Sequence, residues 1–109
     1  MENYQKAGKE GYLQAMTGIR RKTLIYGEST LMTEFLLEKG ADLPMHSHPQ
    51  EQTGYLVSGH MVLTIGENEY DILPGAAWLV PGDVTHGATI LADSVAVEVF
   101  SPVREDYLP

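Results

Sequence analysis

His46 and His48 stand two residues apart in the stretch PMHSHPQEQTGYLVSG. On a strand, side chains alternate between faces, so this pair would aim two imidazoles at one point. Pro44 and Pro49 flank it, which suits an edge or a bulge better than a central ladder. Gln52 lies four residues beyond His48, and His86 comes well downstream, just after the turn in PGDVTH. Three neutral imidazoles and one amide oxygen suit a divalent transition metal: Mn, Fe, Ni, Cu or Zn. No ligand of that set is anionic, so the metal would keep its full charge. It would attract an anion or lower the pKa of a bound water. Glu51 is the rival fourth ligand, but alternation turns it away from the side of Gln52. The fourth histidine, His60, sits in the Gly59-His60 turn and reads as a solvent-exposed residue.

The C-terminal stretch VEVFSPVREDYLP adds a second group of candidates. Glu98 and Phe100 share one face of a strand, and Val97 and Val99 take the other. If the valines pack outward, Glu98 points inward, where a lone carboxylate is costly without a cation such as the metal or Arg104. The opposite orientation would leave Glu98 exposed. Arg104 follows the Ser101-Pro102 turn, and its planar fork suits a bidentate grip on a carboxylate. The alternative is a minor surface ion pair with Glu105 or Asp106. Tyr55 and Trp78 either line a pocket near these groups or fill the core.

Strands must hold these residues. Ile19 to Tyr26 and Thr30 to Glu38 are β-rich and partly alternating, and Ala41 to Met45 leads into the histidines. Thr53 to Val57 and Met61 to Ile65 flank Ser58-Gly59-His60, which reads as a tight hairpin. Gly66 to Glu69, Pro74-Gly75 and Pro81 to Asp83 supply further turns. The last strand is expected from about Val95 to Phe100, ended by Ser101-Pro102. No long helical periodicity follows Gly18. Short strands at turn spacings of about 8 to 12 residues indicate an all-β sandwich or barrel.

At 109 residues the chain is long enough for one domain with a real core, expected over residues 18–109. Residues 1–17 form a polar lead-in, either flexible or paired with a sheet edge or a partner subunit. The net charge of −8 argues against nucleic acid as partner. Arg20, Arg21 and Lys22 are the one basic cluster and read as a solvated face. No apolar run approaches the roughly 18 residues of a membrane span, and the N-terminal stretch lacks a signal peptide's apolar segment. A cytoplasmic address is expected. Without cysteine, disulfides, thiolate metal sites and Cys nucleophiles are excluded.

The two histidine segments resemble the paired motifs of the cupin superfamily. The first, G-x5-H-x-H-x3,4-E-x6-G, maps onto Gly40, His46, His48, position 52 and Gly59. The second, G-x5-P-x-G-x2-H-x3-N, maps onto Gly75, Pro81, position 83, His86 and position 90. Gln52, Asp83 and Ile90 depart from it; the first exchanges an anionic ligand for a neutral amide. The resemblance implies a double-stranded β-helix, the jelly-roll barrel, with a metal on His46, His48, Gln52 and His86.

With GIRRKTLIYGE and the C-terminal stretch included, the chain is similar from about Gly18 to Leu108 to one family of small pectin-degradation cupins. Those enzymes open the ring of 4,5-unsaturated uronates. The similarity implies catalytic roles for Glu98 and Arg104, substrate contacts from Phe100 and Arg104, and a small anionic sugar acid as substrate. The family more often has Asp at the acid position, so Glu98 lengthens the reach by one methylene. Small cupins commonly dimerise by pairing strands or exchanging N-terminal segments, which implies a homodimer. The competing classes are a cupin oxygenase using Fe or Cu in the same ligands, and a non-catalytic binding or sensing module. Sensing cupins usually carry a DNA-binding domain for which this chain has no room.

Overall fold

The computed structural model describes residues 3–109. Among the described residues eight strands follow one another: β1 (Leu13–Met16), β2 (Ile19–Tyr26), β3 (Leu31–Leu37), β4 (Asp42–His46), β5 (Glu51–Ile65), β6 (Asn68–Ile72), β7 (Ala77–Val80) and β8 (His86–Ser101). A single 3-10 turn, Glu105–Tyr107, closes the chain. All pairings are antiparallel.

The two long strands organise the fold, because each serves both layers. The first half of β5 pairs with the second half of β8, flanked by β7 on one side and by β3, β2 and β1 on the other. The second half of β5 pairs with the first half of β8, flanked by β6 and β4. A jelly-roll sandwich results, with strands turning the corner between sheets.

The corner is built from three successive register shifts between Leu56 and Met61. Such bulges bend a strand and strengthen its twist. Gly59 sits there at φ 101°, and a Cβ on it would fall 2.1 Å from Ser94 Oγ, so the close approach of β8 requires glycine. Ser94 Oγ in turn accepts from the His60 amide at 3.0 Å.

The expected hairpin at Ser58-Gly59-His60 is therefore a bulged corner within one continuous strand. Thr53–Val57 and Met61–Ile65 do not fold back on each other; both pair with β8. His60 is accordingly no turn residue. It is half-buried in the bulge, and its Nε2 lies 2.5 Å from Asp71 Oδ1 on β6. The last strand also begins earlier than expected, at His86 rather than Val95. Gly87 and the Ala92-Asp93-Ser94 run interrupt its alternation and disguise its first half.

The expected turns at Gly66, Pro74-Gly75 and Pro81–Asp83 are present. Within the lead-in, Leu13–Met16 forms β1 and pairs with β2 of the same chain. Ile19, Leu37, Leu56, Met61, Leu63 and Ile90 belong to the buried core between the sheets. No helix among the described residues is long and apolar enough to cross a membrane.

The basic cluster on β2 is only partly a solvated face. Arg20 is exposed. Arg21 lies 4.0 Å from the centre of the Tyr107 ring, and Lys22 donates to the Gly8 carbonyl at 3.1 Å. Thr23 Oγ1 donates to the Tyr107 carbonyl, so β2 fastens the C-terminal turn across one end of the sandwich.

Candidate metal centre and active site

His46 ends β4, and His86 begins β8 opposite it in register. His48 lies in the connection to β5, and Gln52 is the second residue of β5. The ligating nitrogens of His46, His48 and His86 all lie within 4.8 Å of one another. Alternation places Gln52 inside, 5% exposed, and leaves Glu51 exposed on the other face.

Each ring is held in one tautomer by the backbone. Nδ1 of His46 lies 2.9 Å from the Pro44 carbonyl, that of His48 3.0 Å from the Gln50 carbonyl, and that of His86 2.9 Å from the Val84 carbonyl. A carbonyl only accepts, so in the neutral rings the hydrogen sits on Nδ1 and each Nε2 presents its lone pair. This is the outer-shell arrangement of a metal-ligating histidine.

For His48 and His86 the surroundings favour the neutral ring. Burial pushes the His86 pKa down to about 4, with the neighbouring imidazoles adding to the effect. Burial first, and then Arg104, lowers that of His48.

Two polar contacts remain unresolved within the protein alone. His86 Nε2 is buried with no hydrogen-bond partner, a costly arrangement for a lone pair. His48 Nε2 faces Gln52 Oε1 at 2.9 Å, acceptor against acceptor when the hydrogen is on Nδ1. A cation between these atoms would satisfy both, so the residues fit a divalent transition metal.

Glu98 is the central residue of a buried row. Thr33, Glu98, Gly54 and Trp78 stand side by side on β3, β8, β5 and β7 and face inward together. Gln52 Nε2 donates to Glu98 Oε2 at 2.5 Å, and Trp78 Nε1 donates to Oε1 at 3.1 Å. The carboxyl thus touches the ligand set through Gln52. Part of its surface opens onto the interior cavity, while the protein packed around it pushes its pKa up to about 7 by burial. The hydrogen bonds from Gln52 and Trp78, and the charge of Arg104, restrain that rise.

The other sequence candidates divide. Phe100 is buried, and its ring centre lies 5.6 Å from that of His48. Arg104 lines the same cavity, 5.1 Å over Phe100 and 4.0 Å over Tyr107. Its fork, however, is engaged by Asp106, from Nε to Oδ1 at 3.2 Å and from Nη2 to Oδ2 at 2.8 Å. The local ion pair weighed for this arginine is therefore formed. Trp78 stands behind Glu98 rather than on the cavity wall. Tyr55 does not join the site: it is 49% exposed on the outer face of β5.

Tyr107 is the functional neighbour that sequence reasoning missed. Tyr107 lines the cavity and stacks edge-on against Phe100. Its sequence signal is slight, an aromatic three residues after Arg104 in REDYLP.

The fold and this site define a small β-sandwich with a three-histidine centre inside. The chain belongs to the cupin domain family, whose pattern it matches over residues 33–102. No curated protein sequence matches it. Among solved structures, it resembles an RmlC-like cupin from Shewanella frigidimarina, with 24% identity over 99% of this chain and 97% of that one, at TM-score 0.93. It is similar to KdgF from Halomonas sp., with 26% identity over 99% and 100% of the two chains, at TM-score 0.92. Bacillus subtilis oxalate decarboxylase, studied for its Mn(II) centres, shares the fold at TM-score 0.70, with 21% identity over 81% of this chain and 26% of that one.

Proposed function

We propose that this cupin is a metal-dependent enzyme that opens the ring of monomeric 4,5-unsaturated uronates to linear ketouronates. The observation that carries the reading is Glu98: a carboxyl held on both oxygens, facing the cavity, one hydrogen bond from the histidine centre. The resemblance of GIRRKTLIYGE, the histidine stretch and the C-terminal stretch to the uronate-opening cupins supports it. So does the whole-length likeness to KdgF.

His46, His48, His86 and Gln52 would hold the metal. When bound, a divalent ion there supplies positive charge for the substrate carboxylate and for the oxygen that becomes anionic. Glu98, as carboxylate, takes the proton of the anomeric hydroxyl. The freed O–H pair forms the C1 carbonyl, the C1–O5 bond breaks, and its electron pair goes to O5. The O5–C5=C4 enolate then takes the proton at C4 from Glu98, leaving a C5 ketone. A carboxyl whose pKa burial raises, and which faces the cavity, is suited to carry a proton in both directions, a contribution of roughly 10²–10⁴-fold. Phe100 supplies an apolar wall, and Arg104 adds positive charge at the cavity while Asp106 holds it in place.

The test is the loss of C4=C5 ultraviolet absorbance when metal-loaded protein meets unsaturated galacturonate, with His46→Ala, Glu98→Gln and Arg104→Ala beside it. Acceleration over the spontaneous rate that disappears in His46→Ala and Glu98→Gln supports the assignment. No acceleration with Mn, Fe, Ni, Cu or Zn rejects it.

A further inference from the structure

Arg21 belongs to the inner face of β2. It stands in register with Phe35 of β3, whose side chain lines the cavity, and cross-strand partners share a face. Half-buried there, Arg21 has no carboxylate partner: the ion pairs among the described residues are His60–Asp71 and Arg104–Asp106. Its contacts go instead to the C-terminal turn. Nη2 donates to the Asp106 carbonyl at 3.4 Å, and the guanidinium carbon lies 4.0 Å over the centre of the Tyr107 ring. These are two of the residues that hold Arg104. Asp106 accepts from its Nε and Nη2, and Tyr107 carries its guanidinium, also at 4.0 Å. One ring face has room for a single guanidinium at that distance, so the two arginines take opposite faces of Tyr107.

The pair with Asp106 uses one edge of Arg104. A guanidinium has five N–H donors, so both hydrogens of Nη1 and the second of Nη2 remain, an end-on edge with no acceptor among the described residues. Such an edge matches a carboxylate bidentately when its plane is fixed. We infer that Arg21 is a positioning residue: through Tyr107 and Asp106 it sets the plane of the Arg104 guanidinium, so that the free edge takes the carboxylate of the substrate. For the identity of that substrate the inference rests on the uronate reading. The support comes from a different element. Arg21 is held mid-strand between Leu13 of β1 and Phe35 of β3, whereas Arg104, Asp106 and Tyr107 all belong to the turn that it steadies. Thr23, also on β2, fastens the same turn at the Tyr107 carbonyl. A carboxylate remote from the reacting bonds is gripped alike in the bound substrate and in the transition state, so loosening the grip raises KM and leaves kcat.

Two readouts on Arg21→Met test it. The first needs no substrate: solvent exchange of the Arg104 Hε, followed by NMR in zinc-loaded protein and assigned as the signal missing from Arg104→Lys. A guanidinium held in its pair protects this hydrogen, and exchange is expected to quicken about tenfold in Arg21→Met. Unchanged exchange overturns the inference, because a residue that only stabilises the fold would lower Tm and leave this signal alone. The second readout is turnover of unsaturated galacturonate, where KM is expected to rise about tenfold at native kcat. A native KM, with or without a fall in kcat, overturns the inference as well. Should Arg21→Met fail to fold, Arg21→Lys decides by the same readouts. It keeps the charge and loses the flat stack, so a change of about threefold in the same direction is expected, and native values overturn the inference. A native chain that turns over no unsaturated galacturonate removes the uronate reading alone, and the exchange rate then decides the role of Arg21.

Discussion

His48 Nε2 and Gln52 Oε1 face each other at 2.9 Å, while His48 Nδ1 lies 3.0 Å from the Gln50 carbonyl. A neutral imidazole has one hydrogen for two acceptors, so one contact sets lone pair against lone pair. Burial and Arg104 disfavour the doubly protonated ring that would satisfy both. A divalent cation relieves the conflict and also gives His86 Nε2 its missing partner.

Metal should therefore stabilise the fold. At 100 times its Kd, an ion bound only by the native state adds about 2.7 kcal/mol. For a domain of this size that raises Tm by about 10–20 °C. Differential scanning calorimetry with Zn, Mn and Ni reads the shift directly. His86→Ala should abolish it, and a shift retained in that variant would place the ion elsewhere.

Gly54 carries the indole of Trp78. A Cβ at position 54 would fall 2.1 Å from Trp78 Cε2, so Gly54→Ala must displace the ring and with it the Nε1 bond to Glu98. Overpacking of this kind costs about 1–3 kcal/mol. Trp78 is the single tryptophan of the chain, so fluorescence reports on it alone. The expected outcome is a changed emission maximum together with lost uronate turnover. An unchanged spectrum would mean that the ring keeps its seat and that Glu98 is not positioned through it.

Much of this centre is legible in the sequence because it depends on alternation. His46, His48, Gln52 and His86 sit where strand period and motif spacing put them, and Glu98 and Phe100 share a face as the flanking valines suggest. The long strands were harder to read. A bulged corner and a hairpin carry the same signal, a small residue in φ > 0 geometry between two alternating runs, as at Gly59. What separates them is the partner strand: Met61 pairs with Ile90, and nothing in the local sequence says so. Arg104 shows the same limit. Its spacing permits either a substrate grip or the Asp106 pair, and the stack of Tyr107 beneath it is a tertiary fact.

The pH dependence of stability should show two opposed slopes. His86 titrates at about 4 in the fold against 6.5 ordinarily, so its contribution is fully present above pH 6.5 and lost as pH falls toward 4. Glu98 has its pKa raised from 4.5 to about 7. Its contribution is fully present below pH 4.5 and lost as pH rises through 7. The unfolded chain binds more protons at the first site and fewer at the second, so the effects oppose each other between pH 4.5 and 6.5.

In metal-free protein, stability should vary little over that window. Glu98→Gln removes the falling slope and exposes the rising one, roughly 2–3 kcal/mol at about 1.4 kcal/mol per unit. Urea melts of both proteins at pH 4.5, 5.5, 6.5 and 7.5 measure it. Parallel profiles for the two would show that Glu98 does not titrate in this range.

Tyr55, weighed for the pocket, instead marks an apolar outer face. Register aligns Met32, Val99, Thr53 and Leu79 in one row across β3, β8, β5 and β7, with Val97 and Tyr55 in the next. Met32, Tyr55, Val57 and Leu79 are each between 37% and 50% exposed. A contiguous apolar sheet face on an acidic protein suits burial against a second copy through a two-fold axis, since the same patch then serves both partners. β1 is already paired with β2 of its own chain, which favours face-to-face packing over exchange of N-terminal strands. Sedimentation of the native chain should give a dimer at micromolar concentration, and Tyr55→Lys with Leu79→Asp should give a folded monomer. A native chain that stays monomeric up to millimolar concentration would reject the interface.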